Sequence, residues 1–306
     1  MTTPQEDDNA APIFPRRSCL YMPGTNVRAH EKAKGLSTDV LIFDLEDSVA
    51  PDAKADARNA IIAALKTGGY GRRELVVRVN GFDTPWGEDD IRAIAGLDAG
   101  EGAHAVLIPK VEDPATVRRA GDLLDAAGGD TRLWSMMETA RGVLGAAEIA
   151  AAHERLDMFT MGLEDLAKEL HADNSGDRLA MLYALEHSVM AARAYGLGIL
   201  DGVYPAFDDA DGFQAVCEQG RRLGFDGKQL IHPRQIDPAN VAFSPSPDAV
   251  SEARRMIDAF EQAEARGEGI TVLDGAMVEA LHVVEAKQLV AFADAISALE
   301  TESTNP

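Results

Sequence analysis

The sequence predicts an α/β chain folded as a (β/α)8 TIM barrel with a C-terminal helical extension. Three observations predict it. Eight short, β-rich apolar runs recur over roughly 230 residues, with Ala-rich helical stretches between them. The runs show little polar alternation, as strands covered on their outer face do in a parallel sheet. Each run also ends in polar or turn residues, which suits the mouth of a barrel and not its packed bottom. An open dinucleotide-binding sheet fits less well. No G-x-G-x-x-G follows the first run, GGYG (68–71) precedes a strand, and no G-K-[ST] loop occurs.

In chain order the strands are RSCLYM (17–22), VLIFDL (40–45), LVVRVN (75–80), AVLIPK (105–110), RLWSMME (132–138), DMFTMG (157–162), GILDGV (198–203) and KQLIH (228–232). Among the helices, ARNAIIAALKTG (57–68) places Ile61, Ile62 and Leu65 on one face and stops at a glycine. LAMLYALEHSVMAARAYG (179–196) aligns Leu182, Leu185, Val189 and Ala192 in the same way. After the eighth run the character changes. FSPSPDA (243–249) is a Pro/Ser hinge. An amphipathic helix with Val250, Ala253, Ile257 and Phe260 on one face follows it. GEGITVLDGAM (267–277) is a Gly-punctuated loop or short hairpin, and Leu281, Val284, Leu289 and Phe292 mark a second helix. The expected organisation is a disordered tail at 1–14, a barrel at 15–244, an extension at 245–300 and a second disordered tail at 301–306.

The bulk numbers narrow the function. With 46% hydrophobic residues, the 306-residue chain can bury a large core. A formal net charge of −22 opposes nucleic acid and anionic membrane as partners, while a small anionic ligand answers to local Arg and Lys instead. Cys19 and Cys217 make neither a disulfide framework nor a thiolate metal site. MTTPQEDDNAAPIFP does not read as a signal peptide, and no apolar run is long enough to span a bilayer. The expectation is a soluble cytoplasmic protein.

Two acids stand out at the strand ends. Glu138 closes an apolar strand, and Asp165 follows one βα unit later, so the two should be neighbours at the mouth. A carboxylate pair without His or Cys suits Mg2+ or Mn2+, which keep waters and accept substrate oxygens. Asp165 or Glu164 serves equally well, on sequence alone, as a cap for the helix DLAKEL. Arg78 lies inside the apolar run VVRVN, and a buried guanidinium needs an anion. That anion is either a substrate carboxylate or enolate, or a structural partner in Asp44 or Glu46. Arg17 and Lys110 are expected to add positive potential at the same rim. His232 reads as a hydrogen-bonded structural residue.

RSCLYMPG, FDLEDSVAP, VVRVNGFDTPWGEDD, LIPKVED, METARG, GLEDLAKEL, LDGVYPAFDD and GFDGKQLIHPRQI, in that order, resemble the citrate lyase β-subunit-like family. This is the acyl-CoA lyase branch of the HpcH/HpaI aldolase superfamily. Within it, LWSMMETARG, AFSPSPDAV and VLDGAMVEALHVVEA are similar to the malyl-CoA lyase and (3S)-malyl-CoA thioesterase group. The resemblance implies Mg2+ on Glu138 and Asp165, and Arg78 on a substrate carboxylate or thioester. It implies trimers or hexamers in which the C-terminal segment of one subunit lids the site of the next. Asp274 then matches the lid aspartate that acts as acid/base. Leu163 departs from the Thr that many relatives carry.

Three readings follow from the resemblance. The first is a C–C lyase cleaving malyl-CoA, β-methylmalyl-CoA or citramalyl-CoA to a 2-oxo acid and acetyl- or propionyl-CoA. The Thr139 and Ala140 amides would hold the carboxylate, Arg78 the enolate, and Arg17 and Lys110 the CoA. The second is hydrolysis of (3S)-malyl-CoA to malate and CoA in the same site. The third is a citrate lyase β subunit or a non-catalytic subunit. In all of them Asp44 and Glu46 stand one layer behind the metal and fix Arg78. Asp47 replaces the His that serves as base in related pyruvate aldolases.

Overall fold

A computed structural model describes residues 13–97 and 100–303. Most of the two tails expected to be disordered lies outside these residues. The part of the second tail that is described, up to Ser303, continues the last helix. The chain forms two compact units, one spanning Arg16–Phe243 and the other containing the C-terminal residues from Ser244.

The first unit is a closed barrel of eight parallel strands in sequence order, with β1 also pairing with β8. The strands are β1 (Ser18–Pro23), β2 (Val40–Asp44), β3 (Glu74–Arg78), β4 (Ala105–Ile108), β5 (Arg132–Met137), β6 (Leu156–Met161), β7 (Gly198–Asp201) and β8 (Gly227–Leu230). Between and after them run α1 (Val27–Ala33), α2 (Lys54–Thr67), α3 (Gly87–Ala95), α4 (Pro114–Ala127), α5 (Ala140–Leu144), α6 (Ala146–Ala150), α7 (Leu163–Leu170), α8 (Leu182–Ala194), α9 (Ala210–Leu223) and α10 (Ile236–Phe243). Among the described residues no helix is long and apolar enough to cross a membrane.

Strand parity decides what the barrel encloses, because successive side chains alternate faces. Cys19, Val40, Ile42, Val76, Ala105, Leu107, Trp134, Met136, Met158 and Leu200 form one apolar cluster, the barrel interior. The alternate residues, such as Leu41, Phe43 and Val77, pack outward with Ile61, Leu65 and other helical side chains. Asp44, Arg78 and Glu138 each lie two residues beyond an interior residue. The same parity therefore turns their side chains inward at the carboxyl end of the barrel.

The opposite end is closed by arginines. Arg16 donates to Glu74 at 2.6 and 2.8 Å and to Asp157 at 2.8 Å, and its guanidinium lies 5.3 Å from the Trp134 ring centroid. Arg17 precedes β1 and pairs bidentately with Asp39, just before β2, at 2.9 Å. This corrects the expectation for Arg17. It is buried at the amino end of the barrel, so it is neither at the mouth nor placed to orient CoA there.

Asp201, the last residue of β7, forms a second buried ion cluster. It faces outward and accepts from Arg178 at 2.7 and 2.9 Å and from Lys228 at 2.9 Å, and all three side chains are buried. Burial alone would raise the Asp201 pKa, but the two cations hold it below the ordinary carboxylate value. Asp201→Asn should cost about 3–5 kcal/mol at pH 7, because it leaves buried cations uncompensated. A depressed folded pKa gives stability that is present above the unfolded value and lost as pH falls through the folded one. Urea unfolding should therefore show the gap between wild type and variant narrowing below about pH 4. A gap independent of pH would refute this.

The second unit contains α11 (Pro247–Glu264), an antiparallel hairpin of β9 (Ile270–Leu273) and β10 (Ala276–Glu279), and α12 (Ala280–Ser303). Its small core is Phe260, Val278 and Val283, with Met256, Ile257 and Leu273 against it. The hairpin loop is Asp274-Gly275, with φ of 51° and 86°, the left-handed pair that a two-residue primed turn requires.

Candidate active site

A cavity of about 450 Å3 opens at the carboxyl end of the barrel. Tyr21, Asp44, Arg78, Met136, Glu138, Leu163, Glu164, Asp165, Gln229 and Ile231 are among its lining residues. The size suits a small ligand or the reacting end of a larger one.

Arg78 is its electrostatic centre. Its Nε and Nη2 donate to Asp44 at 2.6 and 2.7 Å, and its Nη1 lies 2.9 Å from Glu46. The guanidinium stacks on Tyr21, 4.9 Å from the ring centroid, and Tyr21 in turn donates to Gln229 at 2.8 Å. The structural alternative of the sequence analysis is the one these contacts meet. Arg78 has structural partners in Asp44 and Glu46, and it also faces the cavity. Burial pushes the Asp44 pKa up, yet the Arg78 charge and hydrogen bonds hold it below the ordinary value. In Glu46 burial wins over Arg78 and Lys110, and the pKa is raised.

Glu138 and Asp165 line the same cavity, as the one-unit spacing requires. Glu138 is only 4% exposed, and its Oε1 accepts from the Lys110 amide at 2.7 Å. Burial, with Glu46 and Asp165 adding to it, pushes the Glu138 pKa up to about 8 against the Lys110 bond and Arg78. Gly162 makes the arrangement possible, since a Cβ there would collide with the Cβ and Oε2 of Glu138. Asp44, Asp47, Glu138, Glu164 and Asp165 line the cavity against Arg78, so the wall is rich in carboxylate oxygens, and the raised Glu138 pKa reports that crowding. A divalent ion with hard-oxygen preference fits that donor set.

Lys110 sits at the mouth, with Nζ donating to Glu46 at 2.9 Å. The Ala140 amide is engaged elsewhere, which corrects its expected role, and Thr139 serves as a helix cap. The Thr139 hydroxyl accepts from the Gly142 amide at 3.0 Å and caps α5, while the Ala140 amide donates to Glu169 at 3.0 Å. The helix start that does face the cavity is that of α7. Gly162 provides no side-chain cap there, and Leu163, Glu164 and Asp165 form part of the wall. The sequence signal for it was the run Gly162-Leu163-Glu164-Asp165, which lacks a Ser or Thr cap. His232 caps the short 3-10 turn at Pro233–Gln235 and stacks on Phe207 at 4.8 Å. In the C-terminal unit Asp274 is exposed and accepts from Arg255 at 2.6 Å.

Lys54 adds a cation that nothing in its sequence surroundings announces. Its buried ammonium donates to the Leu45 and Glu46 carbonyls at 2.8 and 2.7 Å and so holds the loop that carries Glu46 and Asp47.

Residues 17–233 match the family described as HpcH/HpaI aldolase/citrate lyase. A (3S)-malyl-CoA thioesterase from Cereibacter sphaeroides is 53% identical over 93% of this chain and 96% of its own. An L-malyl-CoA/beta-methylmalyl-CoA lyase from Cereibacter sphaeroides is 37% identical over 94% of this chain and 97% of its own. The crystal structure of CitE from Mycobacterium tuberculosis, in complex with magnesium, acetoacetate and coenzyme A, superposes with a TM-score of 0.68. It is 31% identical and covers 90% of this chain and 97% of its own.

Proposed function

Since the chain belongs to the HpcH/HpaI aldolase/citrate lyase family, we propose that it is a Mg2+-dependent enzyme of malyl-CoA whose outcome is hydrolysis to malate and CoA. The buried Glu138 carboxyl and the half-buried Asp165 beside it on one cavity wall carry the metal reading. Identity of 53% to a (3S)-malyl-CoA thioesterase, against 37% to a malyl-CoA lyase, supports the hydrolytic outcome.

Glu138 and Asp165 would hold the ion. When bound, Mg2+ supplies Lewis-acid polarisation of the substrate oxygens it touches. The first-turn amides of α7 would receive the substrate carboxylate, a role that suits the positive end of a helix. Arg78, held rigid by Asp44 and Glu46, stabilises negative charge on the thioester oxygen. Asp274, from the C-terminal unit of a neighbouring chain in a trimer or hexamer, takes the proton of the attacking water. Water adds to the thioester carbonyl, the C–S bond breaks, and the departing thiolate receives a proton as free CoA.

The C–C lyase expected first from the sequence is the second reading. The lyase relative that matches over nearly the whole chain favours it. There the substrate hydroxyl would give its proton to Asp274 as the C–C bond breaks to glyoxylate and an enolate that Arg78 steadies, and Asp274 would return that proton to the enolate carbon, released as acetyl-CoA.

The product mixture decides. Pure protein with Mg2+ and (3S)-malyl-CoA should release thiol and malate without glyoxylate. Glyoxylate and acetyl-CoA would establish the lyase instead. No turnover of malyl-CoA, β-methylmalyl-CoA or citramalyl-CoA would overturn both.

A further inference from the structure

We propose that Lys110 is a positioning residue that confines the cation site to Glu138 and Asp165 by keeping Glu46 out of it. The proposal rests on the reading of Glu138 and Asp165 as cation ligands. Lys110 works from its two ends. Its backbone is left-handed, at φ 51°, a conformation that costs a non-glycine residue of order 1 kcal/mol or more and persists only where something holds it. What the conformation achieves is visible. It aims the Lys110 amide at Oε1 of Glu138, 2.7 Å away, so that the carboxylate is fixed by one oxygen.

The side chain then reaches to Glu46, where Nζ donates to Oε1 at 2.9 Å. The other oxygen of Glu46 is buried. It lies 2.9 Å from Arg78 Nη1 as an ion pair, yet no well-directed hydrogen bond satisfies it. Glu46 is also the strongest neighbouring charge acting on the Glu138 carboxyl. An incompletely satisfied buried carboxylate beside a cation site is a ligand in waiting. Among the described residues, the Lys110 ammonium is the side chain that hydrogen-bonds the Oε1 of Glu46, the oxygen Arg78 does not meet. A third protein carboxylate would bind the ion more tightly and fill a position that substrate needs.

The test uses metal-free full-length protein and Mn2+, titrated by calorimetry, with bound waters counted by water-proton relaxation. Lys110→Met should tighten Mn2+ binding about tenfold and remove about one ion-bound water, as Glu46 enters the coordination sphere. Lys110→Arg, which keeps the ion pair, should stay within about threefold of wild type. The double variant Lys110→Met/Glu46→Gln should return both affinity and water count to wild-type values. Lys110→Gly lacks the ammonium and suits the left-handed backbone, so it repeats the test should the Met variant fold poorly. Unchanged or weaker binding in both ammonium-free variants would overturn the proposal. So would tighter binding with an unchanged water count, since that is a charge effect without ligation. Wild-type protein that takes up no Mn2+ would overturn the metal reading along with it.

Discussion

Glu138→Gln should leave the metal-free protein more stable than wild type at pH 8 and the enzyme inactive. The stability half follows from linkage. The folded pKa of Glu138 is raised to about 8 from an ordinary 4.5, chiefly by burial. A raised folded pKa means a contribution that is intact below the unfolded value and lost as pH rises through the folded one. Between those limits the metal-free wild type should weaken by at most about 4–5 kcal/mol, the free-energy equivalent of the shift. The Gln variant has no such titration, so the two proteins should be nearly equal near pH 4.5 and furthest apart near pH 8. Urea unfolding in the presence of a chelator at both pH values reads the gap. Equal stabilities at pH 8 would show that burial does not strain this carboxylate. The activity half follows from the proposed ligand role. Losing one of two protein carboxylates should cost roughly 10^3-fold or more, with no rescue by added Mg2+. Stability and function are thus opposed at one side chain, as expected where a charge is buried in order to receive a cation.

The same side chain shows how far the sequence reaches. The eight strands are legible because each is an apolar run with a turn or helix behind it, and all eight structural strands overlap the expected runs. Their carboxyl ends are legible too, which is why Glu138, Asp165, Arg78, Asp44 and Glu46 are found together. What the runs hide is which face is inside. Both faces of a barrel strand are apolar, so nothing in VLIFD says that Val40 and Ile42 face the interior while Leu41 and Phe43 face the helices. The placement of Arg17 failed for a related reason. Its run begins with the arginine, and charge at the start of a strand belongs to the bottom of the barrel, where Asp39 waits just before the neighbouring strand. Lys110 was legible as a mouth residue but its function was not. That function depends on a positive φ and on two partners 64 and 28 positions away in the chain. The engagement of the Ala140 amide is not legible either, because nothing in the sequence announces that Glu169, at the end of α7, reaches it.

Arg78→Met should be the single change at the mouth that costs the most stability, and it should cost activity as well. Arg78 is the only cation bonded to Asp44 among the described residues, and Asp44 is 2% exposed. Removing the guanidinium leaves Asp44 without its bidentate partner and Glu46 with Lys110 alone. Breaking one side of a buried pair costs about 3–5 kcal/mol. The pH dependence separates this from a simple packing defect. Arg78 holds the folded pKa of Asp44 below its ordinary 3.8, so the stability it confers is present above that value and disappears as pH falls through the lowered one. The difference between wild type and Arg78→Met should therefore be largest near neutrality and shrink in acid, whereas lost packing against Tyr21 would give a constant difference. Arg78→Lys sharpens the distinction. It keeps a positive charge near Asp44 and Glu46 but not the planar fork, so most of the stability should remain. Activity should still fall by about 10^2-fold or more, because a point charge cannot grip Asp44 bidentately and also meet the thioester oxygen. If the Lys variant were nearly as active as wild type, Arg78 would be a structural clamp on Asp44 and nothing more. The donor facing the substrate would then have to be sought among the first-turn amides of α7.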